Sequence, residues 1–68
     1  MIDLWEFATE KKIRVTDTDG KVFIGMVGDV TDAGERSDLE PQEDGITIWV
    51  EGSPVELLQS EIRSIEVV

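Results

Sequence analysis

The chain has no cysteine, no histidine and no tyrosine, and its six basic residues stand against sixteen acidic ones. Each shortage closes a class of function. Without cysteine there is no disulfide, no thiolate metal site and no cysteine nucleophile. Without histidine the usual general base near neutral pH and the commonest metal ligand are both missing. Ser37, Ser53, Ser60 and Ser64 therefore have no histidine to activate them. No pair of carboxylates sits beside a nucleophile, a phosphate loop or a cofactor motif, so the expectation is a non-enzyme with no cofactor and no metal. A formal charge of -10 repels phosphate backbones and anionic lipid surfaces. No apolar run approaches the roughly 20 residues of a membrane span. The opening Met1 to Phe7 carries acids where a signal peptide is basic. The expected compartment is the cytoplasm, with no membrane partner.

What is there reads as short strands in one domain over 1–68. A chain of 68 residues buries only roughly 60% of the surface it exposes when unfolded, which leaves a thin core. With cysteine excluded, oligomerisation is the remaining support. Asp3 is placed to cap a short helix from about Leu4 to Thr9, with Leu4 and Ala8 on one face, in an N-terminal region over 1–10. Ile13 and Val15 alternate with Lys12, Arg14 and Thr16, a strand with one wet face, which ends at the Asp19-Gly20 turn. A long strand from Lys21 to about Thr31 carries Gly25 and Gly28, glycines that allow a bulge or a sharp bend. Residues 32–44 are polar and acidic, a solvated loop. Ile46, Ile48 and Val50 mark a third strand, Val55 to Leu58 a fourth, and Arg63 to Val68 a fifth after a brief turn at Ser60 to Ile62.

A short helix, five short strands, a bent second strand and a closing Ile62 to Ile65 segment together resemble the Sm-like family of RNA-associated small barrels. Phe23-Ile-Gly25-Met-Val27 looks like the family's first motif, and Leu57 to Ile65 like its second. The resemblance implies a strongly bent five-stranded antiparallel barrel over 12–68 and a homo-oligomeric ring. In that ring the fourth strand (Val55, Glu56, Leu57, Leu58) pairs with the fifth (Ile65, Glu66, Val67) of the next subunit. The family's base-binding pocket uses an Asp-x-x-Met-Asn stretch and an Arg-Gly. Here those positions hold Thr31, Gly34 and Glu35, or Gly45 if the acidic loop is an insertion, and Leu58-Gln59. A pocket without a planar amide or a guanidinium cannot hydrogen-bond a base edge in the family's way. The expected function is thus a non-catalytic ring acting as an interaction scaffold for itself and another protein. The alternative is an RNA-binding ring using a non-standard lumen or surface site.

Candidate contact residues follow from what else stands out. Lys11, Lys12 and Arg14 form the only basic cluster, able to hold a phosphate or, as the charge of neighbouring copies favours, to pair with their acids. Trp49 falls out of phase with Ile46 and Ile48, as a stacking platform, an interface anchor, or a core residue meeting Trp5 or Phe7 beneath the N-terminal helix; the core role is preferred. Gln59 could serve an RNA surface together with these. The carboxylates Asp29, Asp32, Glu35, Asp38, Glu40, Glu43 and Asp44 are irregularly spaced, which fits a solvated segment better than a calcium site. Asp17-Thr-Asp-Gly20 imitates part of an EF-hand loop, but the first and twelfth ligand positions would be Val15 and Met26.

Overall fold

The computed structural model describes residues 2–33 and 43–68 of the chain. A 3-10 turn over Leu4–Phe7 precedes strands β1 (Lys12–Asp17), β2 (Val22–Thr31), β3 (Gly45–Val50) and β4 (Ser53–Leu58). A second 3-10 turn, Gln59–Glu61, leads into β5 (Ile62–Val67). All five strands lie in one antiparallel sheet in the order β4-β3-β2-β1-β5. The expected mainly-β domain is there, but the sheet does not close on itself: β4 and β5 are its two ends and do not pair with each other.

The N-terminal α-helix expected over Leu4 to Thr9 is only a 3-10 turn. Asp3 caps it as anticipated, its Oδ1 accepting from the Trp5 N–H at 3.0 Å. The backbone bonds close over three residues, Glu6 N–H to Asp3 O at 3.2 Å and Ala8 N–H to Trp5 O at 3.3 Å. So short a segment cannot offset the cost of nucleating an α-helix, and the tighter turn is what remains. Leu4 points wholly into the core while Ala8 is exposed, so the two do not share a buried face.

Alternation builds the core. Ile13 and Val15 of β1, Val30 of β2, Ile46 and Ile48 of β3, Leu57 of β4 and Ile62 of β5 all point to one side, where Leu4 joins them. The β1–β2 hairpin turns at Asp19-Gly20 as expected. The Asp17 carboxylate accepts from the N–H groups of Asp19 at 2.9 Å and Lys21 at 2.8 Å, and Gly20 takes φ +85°.

The strand β2 divides its partners. Its first half, Val22 to Met26, pairs with β1, and its second, Met26 to Thr31, with β3. Only Met26 faces a residue on both sides, so the strand passes from one half of the sheet to the other around it. Gly25 lies at that passage because the β3 backbone comes against it: a Cβ here would sit 2.2 Å from the Trp49 carbonyl oxygen. Three residues on, the β2–β3 register slips between Val27 and Asp29, leaving Gly28 as the bulge residue.

Gly25→Ala should therefore be the most damaging single methyl in the sheet. The clash is with backbone, which cannot swing aside, and overpacking of this kind costs about 1–3 kcal/mol or more. A core of this size rarely supplies more than about 3–5 kcal/mol. Urea unfolding followed by circular dichroism should show the variant largely unfolded or with most of its stability gone; an unchanged midpoint would contradict the close approach.

Candidate interaction surface

Opposite the core, the sheet presents a second face whose composition follows from register. Directly opposed residues of antiparallel strands point the same way. One row across β3, β2 and β1 is therefore Trp49, Met26 and Lys12; the next, from β2 to β5, is Ile24, Arg14 and Glu66; the third is Val22, Thr16 and Ser64. Four large apolar side chains stand on this outer face about half exposed: Val22 at 51%, Ile24 at 47%, Met26 at 50% and Trp49 at 46%.

Trp49 is thus not the core residue that was preferred. Its phase puts it on the outer face, and the N-terminal segment covers the inner one, contributing Leu4 and, at the margin, Ile2 and Phe7. Trp5 is itself exposed and its Nε1–H donates to Asp44 Oδ2 at 3.1 Å. The Trp49 indole lies instead against the bulge: a Cβ on Gly28 would come within 2.7 Å of its Nε1 and 3.0 Å of its Cδ1. The missing side chain lets the ring lie close to the strand. No protein acceptor takes the Trp49 Nε1–H among the described residues.

Lys12 and Arg14 share this face, as their spacing implied. Arg14 Nη2 stands 2.7 Å from Glu66 Oε2 of the same chain. Both groups are well solvated, and such a pair contributes at most about 1 kcal/mol. Lys12 makes no ion pair among the described residues. Lys11 is exposed just before β1, where its carbonyl accepts from the Val27 N–H at 2.9 Å.

Gln59 does not join this group. Its side-chain amide donates to the Ile2 carbonyl, tying the N-terminus to the second 3-10 turn, and its backbone N–H donates to Asp44 O at 2.9 Å. The positions expected to line a base pocket do come together in part. Thr31, Gly45 and Leu58 are successive partners across β2, β3 and β4. Gly34 and Glu35 lie outside the described residues, as do Asp38 and Glu40. The described carboxylates of the acidic stretch are occupied with the chain: Glu43 accepts from the Ser60 N–H and hydroxyl, Asp44 from the Ala33 N–H at 2.9 Å, and Asp29 from the Val30 N–H at 2.9 Å. An open cleft of about 380 Å³ runs between the first 3-10 turn and β5, with Asp3, Glu6 and Arg63 at its rim. Arg63 is held by the Thr18 carbonyl at 3.1 Å.

Comparison with models of protein families, with curated proteins and with solved structures gives no match. No helix among the described residues is long and apolar enough to cross a membrane. The outer strip was the feature that sequence reasoning passed over. Val22, Ile24 and Met26 alternate along β2 with Phe23, Gly25 and Val27, which already supply the inner face. An apolar residue at every position of a strand that needs only one buried face is the signal that could have found it.

The two faces should answer substitution differently. Ile48→Ala, on the inner face, should cost about 2–5 kcal/mol, whereas Ile24→Thr and Met26→Gln on the outer face should each stay within about 0.5 kcal/mol. Denaturant titration of the three variants decides this, and an outer-face loss comparable to that of Ile48→Ala would mean the strip is core.

Proposed function

We propose that this chain is a non-catalytic Sm-like module that assembles with copies of itself, head to tail through the two ends of its sheet, into a ring serving as an interaction scaffold. The observation that carries this reading is that the two open edges are unlike and complementary. In β4 the hairpin closes over Glu51-Gly52, with Val50 opposite Ser53. The closing pair of a two-residue hairpin is the hydrogen-bonded kind, so alternation turns the backbone groups of Pro54, Glu56 and Leu58 toward the open side. Pro54 has no N–H, and the Leu58 N–H is taken by Glu61 Oε1 at 2.8 Å. This edge accepts hydrogen bonds far better than it donates them. Proline on an edge strand is a common guard against indiscriminate pairing.

The β5 edge is different. The Val68 N–H donates to Lys12 O at 3.2 Å, so Ser64, Glu66 and Val68 face β1 and the backbone groups of Ile65 and Val67 point outward. Two β4 edges meeting would bring carbonyl against carbonyl, whereas β4 meeting β5 of another copy joins acceptors to donors. Such a contact is heterologous, and it closes into a ring where the rotation between copies permits. Exposed Val67, 55% accessible, gains burial in the same contact. An RNA-binding ring is the competing reading. The net charge of -10, the engaged Gln59 and the absence of amide or guanidinium at Thr31 and Leu58 weigh against it.

Native mass spectrometry of the freshly purified chain, without nuclease treatment and at low salt, should give a closed oligomer free of nucleic acid. Val67→Pro removes an outward N–H and no bond to β1; it should give a monomer with the circular dichroism spectrum of the parent. A wild-type monomer at all concentrations, or an oligomer indifferent to Val67→Pro, would end the edge-pairing reading. Bound RNA would replace the scaffold with the competing one.

A further inference from the structure

We infer that Asp19, at the tip of the β1–β2 hairpin, is a site of spontaneous isoaspartate formation, and that the fold protects Asp44, which also precedes a glycine, from the same modification. The reaction is intramolecular and needs no second copy.

The chemistry calls for an aspartate followed by glycine, whose missing side chain leaves its backbone nitrogen free to attack. That nitrogen adds to the aspartate Cγ, a C–N bond forms, and water leaves to give a five-membered succinimide. Water then opens the ring. Where it breaks the bond to the main-chain carbonyl carbon, the chain continues through the aspartate side chain and the former main-chain carbonyl becomes a free carboxylate. One water leaves and one returns, so the product is an isomer and no oxidant or other reactant enters. The sequence holds the required pair twice, at Asp19-Gly20 and at Asp44-Gly45. The fold tells them apart.

Asp44 is fixed at both carboxylate oxygens. Its Oδ1 accepts from the Ala33 N–H at 2.9 Å and its Oδ2 from the Trp5 Nε1–H at 3.1 Å. The glycine that follows is buried at the start of β3, opposite Thr31 on one side and Leu58 on the other. For the Asp44 Cγ to meet the Gly45 nitrogen, two side-chain bonds and two strand pairings must yield together. Asp19 is placed in the opposite way. Thr18, Asp19 and Gly20 are all exposed, and the Asp19 carboxylate takes no hydrogen bond among the described residues. A Cβ added to Gly20 would meet nothing within 4 Å. What restrains this pair is the turn alone: the Gly20 N–H donates to Asp17 O at 3.0 Å, and Asp17 Oδ1 holds the N–H groups of Asp19 and Lys21. Opening a hairpin tip is a local fluctuation, whereas freeing Gly45 takes the end of a central strand out of the sheet. Isomerisation at Asp19 lengthens the turn backbone by one methylene, which disturbs the spacing that lets two N–H groups share Asp17 Oδ1.

The test incubates the full chain near neutral pH at body temperature, folded and in concentrated urea. Isoaspartate is read by methylation with an isoaspartyl carboxyl methyltransferase and S-adenosylmethionine, and each site is located by peptide mapping. In urea both pairs should convert at similar rates; in the folded chain Asp19 should convert and Asp44 should not. Asp19→Glu should silence the folded chain, because glutamate would have to close a larger ring. Asp17→Asn leaves a neutral and weaker acceptor for the two N–H groups, so it should speed conversion at Asp19 about ten-fold while Asp44 stays silent. The inference is overturned if the folded chain forms no isoaspartate at Asp19 while the urea sample converts, or if it modifies Asp44 as fast as Asp19. A signal that persists in Asp19→Glu, or a rate unchanged by Asp17→Asn, would overturn it as well.

Discussion

The approach of the β3 backbone to Gly25 is the contact on which the rest of the sheet depends. With the Trp49 carbonyl where a Cβ would have to be, β2 can hand over from β1 to β3 within a residue, and one strand serves both halves of the sheet. That turn lets Ile13 and Val15 on one half and Ile46 and Ile48 on the other close on the same small core, with Leu4 from the N-terminal turn among them. The same geometry fixes the outer face. Met26 is the one residue opposed on both sides, so it draws Trp49 and Lys12 into a single row.

The heavy acid content has a structural use beyond solubility. Asp3, Asp17, Asp29, Asp44, Glu43 and Glu61 each accept a hydrogen bond from a backbone N–H at a turn, a bulge or a strand end. Those are the places where the ladder leaves donors without a carbonyl partner, and a carboxylate makes a stronger acceptor than a neutral group. One of these bonds, Glu61 to the Leu58 N–H, also bears on the proposed assembly, because it withdraws a donor from the β4 edge. Acidic side chains thus help to finish the strand ends and to make the two ends of the sheet unlike.

Much of the strand plan was legible from local pattern. The alternation about Ile13 and Val15, the Asp19-Gly20 turn and the glycines of β2 each have a short-range physical cause, and each element is where that cause puts it. The α-helix failed on length, since a cap and a few apolar residues mark a first turn without ensuring a second. Trp49 shows a different limit. Alternation placed it on the wet face correctly, and the belief that a helix must cover that face displaced the better reading. Closure was not legible at all, because whether β4 meets β5 depends on groups that point sideways out of the sheet. Only Pro54 carries that information in the sequence. The resemblance to a small-barrel family rests on strand order and glycine placement, and its pocket positions Gly34 and Glu35 lie outside the described residues.

The central claim is that copies of the chain complete each other's sheet edges, and amide hydrogen exchange followed residue by residue by NMR tests it most directly. The N–H groups of Ile65 and Val67 point away from β1 and have no partner within the described chain. In the assembled protein they should exchange as slowly as those of Ser64 and Glu66, which face β1, and their protection should fall on dilution while that of the inward amides persists. Fast exchange of Ile65 and Val67 at every concentration, alongside protected Ser64 and Glu66, would contradict edge pairing and leave a solitary open sheet.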